Sequence, residues 1–203
     1  MIKAMFFDIG NVLVFFSYTQ MCDQVATLCG LTREELHNHL VNDDIGPKYE
    51  KGAMTTEEVC DYIISKGRLS PSQEELVDAM VNIFAPNKEI YPIVHAVKSQ
   101  NIKIVLLSNT CEAHFHYLEQ SFPIITEFDL RILSYEVKAR KPEAKIFDAA
   151  IEIAQCTPQE CFYIDDIEEY TKAANSLGID AEPYKDVGTL VSHLHTRGVA
   201  AET

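Results

Sequence analysis

Positive charge is scarce in this sequence of 203 residues, where 17 lysines and arginines stand against 31 aspartates and glutamates. The formal net charge of −14 argues against nucleic acids and anionic membranes as partners, because both would repel the protein. The sequence also lacks an apolar run that could span a bilayer, and it lacks a basic segment followed by a signal-like apolar stretch. Its six cysteines form no CxxC pair, so reduced thiols and a cytoplasmic location are expected.

Internal repeats and low-complexity tracts are absent as well. The apolar fraction of 47% and the charged fraction of 24% are those of an ordinary globular protein. A chain of this length can bury a proper core. It predicts one large domain, or one domain that carries an insertion.

Strand and helix patterns alternate from about residue 88 onward. Apolar runs predict buried strands at 103–107 and 161–164, and period-two alternation predicts a further strand at 128–133. Helical spacing of apolar residues predicts helices around these strands, one of them opened by Pro142. Together with a first strand at 2–7, the alternation predicts an α/β fold, in which helices cover both faces of a parallel sheet in a three-layer, Rossmann-like core.

Residues 16–87 follow a different pattern, with four predicted helices and no predicted strand. Helix starts are marked by three capping boxes, the last with Pro71 at the first helical position: Thr32 with Glu35, Thr55 with Glu58, and Ser70 with Gln73. We interpret this segment as a helical cap inserted after the first strand. The predicted division is a core of residues 1–15 and 88–203 and a cap of residues 16–87.

Polar side chains follow several predicted strands at the point where each strand ends. Asp8 comes directly after the first strand and before a turn at Gly10, so its carboxylate is fixed in direction, as a nucleophile or metal ligand must be. The other strand ends carry a hydroxyl, an amide, an ammonium group and two adjacent carboxylates: Ser108, Asn109, Lys141, Asp165 and Asp166. Adjacent carboxylates repel each other unless a cation lies between them, and Mg²⁺ prefers oxygen ligands. This set predicts Mg²⁺-assisted phosphoryl transfer.

The same residues lie in four motifs whose order resembles that of the haloacid dehalogenase-like hydrolase superfamily. The motifs are FDIGNVL at residues 7–13, LSNT at 107–110, RKPE at 140–143 and YIDD at 163–166. The resemblance covers essentially the whole chain. The first motif, the helical cap and the RKPE run are similar to the branch that contains bacterial α-D-glucose-1-phosphate phosphatase. The resemblance implies a Mg²⁺-dependent phosphatase of small phosphorylated metabolites, with sugar phosphates as candidates.

A role for each motif residue is also implied by the resemblance. Asp8 would be the nucleophile that forms an aspartyl-phosphate, and Lys141 would act with it in catalysis. The phosphoryl group would be bound by five residues: Ile9, Gly10, Ser108, Asn109 and Lys141. Mg²⁺ would be bound by three carboxylates and one main-chain carbonyl: Asp8, Asp165, Asp166 and Gly10.

Three positions depart from the family pattern. Most phosphatases of the superfamily carry an aspartate two residues after the nucleophile as general acid and base, whereas this chain has Gly10. General acid–base catalysis contributes about 10²–10⁴-fold, so a slower enzyme, or an acid recruited from elsewhere, is expected. The sugar-phosphatase branch also has glycine at this position. In addition, Tyr170 stands where this branch usually has asparagine, and Lys138 stands where a glycine commonly precedes the Arg-Lys-Pro run.

Two alternative functions remain open at this point. The three departures are compatible with a catalytically degenerate protein that has a binding or regulatory role. A haloacid dehalogenase would use the same carboxylate to attack carbon and also lacks the second aspartate. Such an enzyme needs no metal, which would leave Asp165 and Asp166 as an unexplained anionic pair. The sequence leaves the oligomeric state open.

Aromatic residues next to the first motif are further candidates for substrate contact. Phe15, Phe16 and Tyr18 either line the cleft between cap and core or form a buried hinge patch. His114 and His116 are two residues apart and do not share a helix face, so exposure is expected rather than zinc binding.

Overall fold

A parallel sheet lies at the centre of the structure, a computed structural model that describes residues 1–202. In chain order its strands are β1 (Ala4–Phe7), β2 (Val14–Phe16), β3 (Phe84–Pro86), β4 (Lys103–Ser108), β5 (Leu130–Leu133), β6 (Cys161–Asp165) and β7 (Asp180–Pro183). The parallel sheet has the order β5-β4-β1-β6-β7, whereas β2 and β3 form a separate antiparallel pair. β1 therefore lies in the middle of the sheet, between β4 and β6.

Helices account for most of the remaining chain. They are α1 (Tyr18–Cys29), α2 (Arg33–Asn42), α3 (Ile45–Glu50), α4 (Thr56–Lys66), α5 (Gln73–Val81), α6 (Tyr91–Ser99), α7 (Glu112–Ser121), α8 (Pro123–Thr126), α9 (Ser134–Val137), α10 (Ala144–Ala154), α11 (Glu168–Ser176) and α12 (Val187–Thr196). None of the helices within residues 1–202 combines the length and the apolar character that a membrane span requires.

The two faces of the sheet carry separate apolar clusters, because successive side chains of a strand point to opposite sides. Met5 and Phe7 of β1 belong to the cluster that includes residues of α6, α7 and α12. Ala4 and Phe6 belong to the cluster on the other face, with residues of α10 and α11. The predicted α/β fold with a parallel sheet between helical layers is confirmed.

Residues 18–81 contain five helices, so the expectation of four helices was wrong. The additional helix, α3, has only 6 residues and includes Gly46 and Pro47, which makes it too short and too irregular for a periodic pattern. Helices α1 to α5 pack around an apolar cluster of their own. The expectation of no strand was also wrong, because β2 and β3 pair where the chain leaves and re-enters the core. The division into cap and core residues stays a prediction.

The first two predicted capping boxes are confirmed at Thr32 and Thr55, and the third was wrong by two residues. Helix α5 begins at Gln73, and its capping box joins Ser72 with Glu75 instead of Ser70 with Gln73. The Glu75 carboxylate accepts from the Ser72 N–H at 2.8 Å, and a negative charge is favourable at a helix N-terminus. Pro142 likewise precedes its helix, since α10 begins at Ala144.

We expect Ser72→Ala to destabilise the protein by about 1 kcal/mol, because the Glu75 N–H loses its acceptor. Ser70→Ala, two residues away and outside the capping box, is the matched control and should change stability by less than about 0.5 kcal/mol. Denaturant midpoints of the two variants measure the difference. Equal losses in both variants would show that the cap at Ser72 does not stabilise α5.

Candidate active site

The predicted strand-end residues meet at one edge of the sheet. β1 pairs in parallel with β4 on one side and with β6 on the other. Asp8 follows β1, Ser108 ends β4 and Asp165 ends β6, so these three residues lie at the carboxyl ends of neighbouring strands. In open α/β sheets this edge is where ligands bind.

Lys141 joins two of these strand ends through its ammonium group. Its Nζ lies 2.7 Å from Asp8 Oδ1 and 2.6 Å from Asp165 Oδ2, and it also donates to the Leu107 carbonyl at 3.1 Å. Lys141 is only 2% exposed, so the three hydrogen bonds replace the water that the charge has lost. The structure thus brings together Asp8, Lys141 and Asp165, which are far apart in the sequence.

Burial and charge shift the pKa values of these groups in opposite ways. Burial raises the pKa of Asp8 to about 7, although the nearby ammonium group of Lys141 works against this shift. Burial by itself lowers the pKa of Lys141, but Asp8 and Asp165 more than offset it, so the lysine pKa lies above its ordinary value. Lys141 is therefore charged at neutral pH, whereas Asp8 is close to its titration point without a further cation.

Asp165 and Asp166 have different surroundings although they are adjacent. Asp165 is fully buried and accepts hydrogen bonds from Lys141, from the Tyr163 hydroxyl and from the Ile167 N–H. Asp166 is partly buried, and its Oδ2 accepts from the Asn11 side chain at 2.9 Å. Burial raises the pKa of Asp166, and the hydrogen bond from Asn11 opposes the shift.

The three carboxylates fit a divalent cation. Asp8, Asp165 and Asp166 each offer a carboxylate oxygen, and these oxygens lie within 4.8 Å of one another. A single ammonium group, that of Lys141, faces this cluster, so the carboxylates exceed the positive charge that the chain supplies. Hard carboxylate oxygens in such an arrangement suit Mg²⁺.

The residues predicted to bind phosphate lie around the same edge, but the amide of Asn109 is engaged elsewhere. Asn109 Oδ1 accepts from the Lys141 N–H at 2.8 Å, and its Nδ2 donates to the Lys141 carbonyl at 3.0 Å. This side chain therefore fixes the backbone of Lys141. Ser108 is 3% exposed and lines the cavity beside Asp8, as do Ile9 and Gly10. Phosphate binding by these four residues stays a prediction.

Gly10 lies under an aromatic ring. A Cβ atom built on Gly10 would lie 2.8 Å from Cε1 of Phe16, closer than a real Cβ contact allows. Phe16 therefore occupies the space that a general-acid side chain at this position would need. The contact is with the far end of a side chain that is 42% exposed, so a larger residue at this position requires the Phe16 ring to move.

The other two departures from the family pattern, Lys138 and Tyr170, make contacts near Lys141. Lys138 has a φ of 56°, a left-handed conformation that glycine adopts without strain, and its Nζ donates to the Gly52 carbonyl of the cap at 2.9 Å. The Tyr170 ring lies 5.2 Å from Lys141 Nζ, and its hydroxyl accepts from Asn109 at 3.4 Å. Both residues therefore contact groups that hold the Lys141 loop in place.

The end of α3 reaches the same loop through two ion pairs. Glu50 Oε2 accepts from Arg140 Nε at 2.6 Å, in a partly buried position next to Lys141. Lys51 pairs with Glu143 at 2.8 Å, in a more exposed position. Together with the hydrogen bond between Lys138 and Gly52, these contacts connect the helical segment to the third motif.

Sequence reasoning missed the residues that support the site. The motifs contain Tyr163 and Asn11 but indicate no role for either of them. For Phe16 the sequence leaves open whether it lines a cleft or forms a buried hinge patch. The signal for Tyr163 was available, because residues two apart in a strand face the same side and Tyr163 therefore faces the side of Asp165. The contact between Phe16 and Gly10, and the pair of Glu50 with Arg140, depend on tertiary packing and leave no local signal.

Comparisons with known proteins found a matching family, related sequences and solved structures with a similar fold. A profile of the family described as haloacid dehalogenase-like hydrolase matches residues 16–182. The chain is 24% identical over 186 residues to a protein named phosphatase MT3486 from Mycobacterium tuberculosis (strain CDC 1551 / Oshkosh), an alignment that covers 89% of this chain and 86% of that protein. It is 21% identical over 178 residues to the sesquiterpene phosphatase astK of Aspergillus oryzae, with 87% of each chain covered.

A solved structure with the same fold belongs to bt-2542, a HAD family enzyme of Bacteroides thetaiotaomicron. The wild-type protein was crystallised in complex with magnesium and inorganic phosphate. Its structure aligns with this chain with a TM-score of 0.84 and 27% sequence identity, and the alignment covers 94% of this chain and 99% of that chain.

We expect Mg²⁺ to stabilise the protein more at pH 8 than at pH 5.5. Because the pKa of Asp8 is about 7 in the folded state, the folded protein holds this proton more tightly than the unfolded chain does. The resulting stabilisation is complete below the ordinary carboxyl pKa and is lost as the pH rises through 7. Mg²⁺ requires ionised carboxylates, so it competes with protons at pH 5.5, whereas at pH 8 Asp8 is already ionised and the ion binds without that competition. At 100 times its Kd the ion would add about 2.7 kcal/mol.

Thermal melts with and without Mg²⁺ at the two pH values measure this effect. Asp166→Asn should remove most of the increment, whereas Asp148→Asn, on an exposed position of α10, is the matched control and should keep it. An equal increment at both pH values, or an undiminished one in Asp166→Asn, would contradict the assignment of the carboxylate cluster.

Proposed function

Because the chain belongs to the haloacid dehalogenase-like hydrolase family, we propose that it is a Mg²⁺-dependent phosphatase of small phosphorylated metabolites with Asp8 as the nucleophile. The observation that carries the proposal is the buried Lys141 ammonium group between Asp8 and Asp165, with Asp166 beside them. The names of the two phosphatase relatives support it, and so does the neighbour in complex with magnesium and phosphate. Sugar phosphates stay a prediction from the sequence resemblance.

The reaction follows from the side chains at this edge. Lys141 binds Oδ1 of Asp8, which leaves Oδ2 for the attack on phosphorus. A bond forms between this oxygen and phosphorus as the bond to the ester oxygen breaks. The leaving alkoxide keeps the bonding electrons and takes its proton from water, because Gly10 has no side chain to supply one. Water then cleaves the aspartyl-phosphate, which releases inorganic phosphate and returns the Asp8 carboxylate.

The remaining residues of the cluster bind and position. Lys141 would compensate the charge of Asp8 and of the transferred phosphoryl group, and the Ser108 hydroxyl, which lines the cavity, would hold a phosphoryl oxygen. Asp8, Asp166 and the Gly10 carbonyl would hold Mg²⁺, which supplies the positive charge that a phosphate ester needs among carboxylates. Asp165 belongs to the same cluster. The hydrogen bond that it accepts from Lys141 supports an additional role in positioning that lysine.

We expect Asp8→Asn to lower the turnover of an aryl phosphate by at least about a thousandfold, because the amide cannot attack phosphorus. EDTA should also stop the wild-type reaction, and Mg²⁺ should restore it. Asp148→Asn is the matched control and should keep full activity. The measurement is phosphate release over time.

Three outcomes would reject parts of this proposal. Retention of most activity in Asp8→Asn would exclude Asp8 as nucleophile. Halide release from a 2-haloacid that EDTA does not affect would favour a dehalogenase. Binding of Mg²⁺ and phosphate without turnover across a broad panel of phosphate esters would favour the degenerate binding protein.

The contact between Phe16 and Gly10 gives a second test. We expect the double variant Gly10→Asp with Phe16→Ala to gain up to about 10²-fold on alkyl phosphates, whose alkoxide needs a proton from a general acid. Gly10→Asp alone should gain less, because its Cβ requires the Phe16 ring to move. Gly10→Ala with Phe16→Ala is the control without a carboxyl group. An equal rate in both double variants would show that this position cannot serve as an acid here.

A further inference from the structure

A cavity of about 180 Å³ extends from the candidate active site into the helical segment. Gly10, Ser108 and Asn109 line the end beside the catalytic residues. The other end lies among helices α1 to α5, where the wall is formed by aliphatic side chains: Val25, Leu36, Leu40, Ile45, Val59 and Ile63. A phosphoryl group held by Lys141 would therefore place the rest of its ester in an apolar space.

Three polar side chains on the cavity wall, those of Tyr49, Glu50 and His114, already have partners within the protein. The Tyr49 hydroxyl shares a hydrogen bond of 2.8 Å with Thr56, and Glu50 pairs with Arg140 at 2.6 Å. His114, which was expected to be exposed, is partly buried and contacts the Met80 carbonyl at 3.2 Å. Burial lowers the pKa of His114 to about 4, so this wall carries no imidazolium charge at neutral pH.

A body rich in hydroxyl groups fits this wall poorly. Each hydroxyl would lose water on entry and would find donors and acceptors that are already engaged. An apolar body loses no such hydrogen bonds and gains from leaving water. Apolar cavities of about 150 Å³ hold one benzene ring, so a cavity of about 180 Å³ has room for a ring of that size with a small substituent.

We propose that this cavity binds the apolar body of the substrate, which is a phosphate monoester of an aromatic or similarly compact apolar alcohol. The proposal rests on the proposed phosphatase function. It agrees with the lack of an acidic side chain at Gly10, because an aromatic leaving oxygen needs less help from a general acid than an alkoxide does. Ile63 of α4 then limits the size of the body that enters.

The test is a series of aryl phosphates whose leaving groups differ in size but hardly in pKa. The wild-type protein with Mg²⁺ should show kcat/KM rising about fourfold from phenyl phosphate to 4-methylphenyl phosphate, the gain for one buried methyl group. It should then fall for 4-tert-butylphenyl phosphate, which exceeds the cavity. Glucose 1-phosphate, with a polar body, should be turned over at least about tenfold less efficiently than phenyl phosphate.

Variants at one position change the cavity in both directions. Ile63→Phe should lower kcat/KM for 4-methylphenyl phosphate at least about tenfold, and Ile63→Ala should admit the tert-butyl compound. Inhibition by inorganic phosphate should stay unchanged in both, since phosphate binds at the strand ends. Ile64→Phe, the same change at the next residue of α4 and outside the cavity lining, is the matched control. Thermal melts verify that each variant is folded.

Binding without turnover separates this proposal from the phosphatase function. Phosphonates are not hydrolysed, so the wild-type protein with Mg²⁺ can be used, and it should bind 4-methylphenylphosphonate about fourfold more tightly than phenylphosphonate in calorimetry. If the phosphonates follow this order but no ester is hydrolysed, the phosphatase function fails and the apolar site stands. If esters are hydrolysed but neither rates nor phosphonate affinities depend on the apolar body, or glucose 1-phosphate is preferred, the apolar site is rejected. The phosphonate series decides even if no Ile63 variant folds.

Discussion

Lys141 is 2% exposed, and its ammonium group lies between Asp8 and Asp165. Removing such a charge from water costs several kcal/mol, and losing one partner of a buried pair typically costs about 3–5 kcal/mol. Both carboxylates are therefore part of the fold as well as of the site. The carboxylates of the cluster still exceed the single ammonium group, which is why burial can raise the pKa of Asp8 to about 7. A divalent cation bound at this cluster would supply the missing positive charge.

The surroundings of Lys141 hold it in this place from several sides. The Asn109 amide binds its backbone N–H and carbonyl, the Tyr163 hydroxyl binds the same oxygen of Asp165 that Lys141 does, and the Tyr170 ring lies beside Nζ. Each contact removes a direction in which the long lysine side chain could move. On the proposed function, a phosphoryl group would meet an ammonium group that is already oriented, so little of its binding energy would be lost in ordering the lysine.

The sequence predicts the parts of this site that follow from strand ends, and it misses those that depend on packing. Buried runs before Asp8 and Asp165 fix where these carboxylates leave the sheet, and parallel strands bring such ends to one edge. Strands β2 and β3 have three residues each, too few to show a period, so the sequence does not reveal their pairing. The third capping box was misplaced because two overlapping patterns, at residues 70–73 and 72–75, compete. Lys138 has a positive φ, which is consistent with the glycine that is common at this position. The conformational propensity of lysine gives no indication of this backbone conformation.

Helix α3 lines the apolar cavity and also reaches the residue before Lys141. Ile45 and Tyr49 of this helix line the apolar cavity, and Glu50 at its end pairs with Arg140, the residue before Lys141. Gly52, two residues after the end of α3, accepts a hydrogen bond from Lys138. It has a φ of +59°, and a Cβ built there would lie 2.5 Å from the Tyr135 carbonyl, so only glycine fits this close approach. On the proposed function, a body that fills the cavity would contact the helix whose end pairs with the residue before Lys141. The fit of that body and the placement of the phosphoryl group would then both depend on α3, so a poorly fitting body should lower turnover as well as affinity.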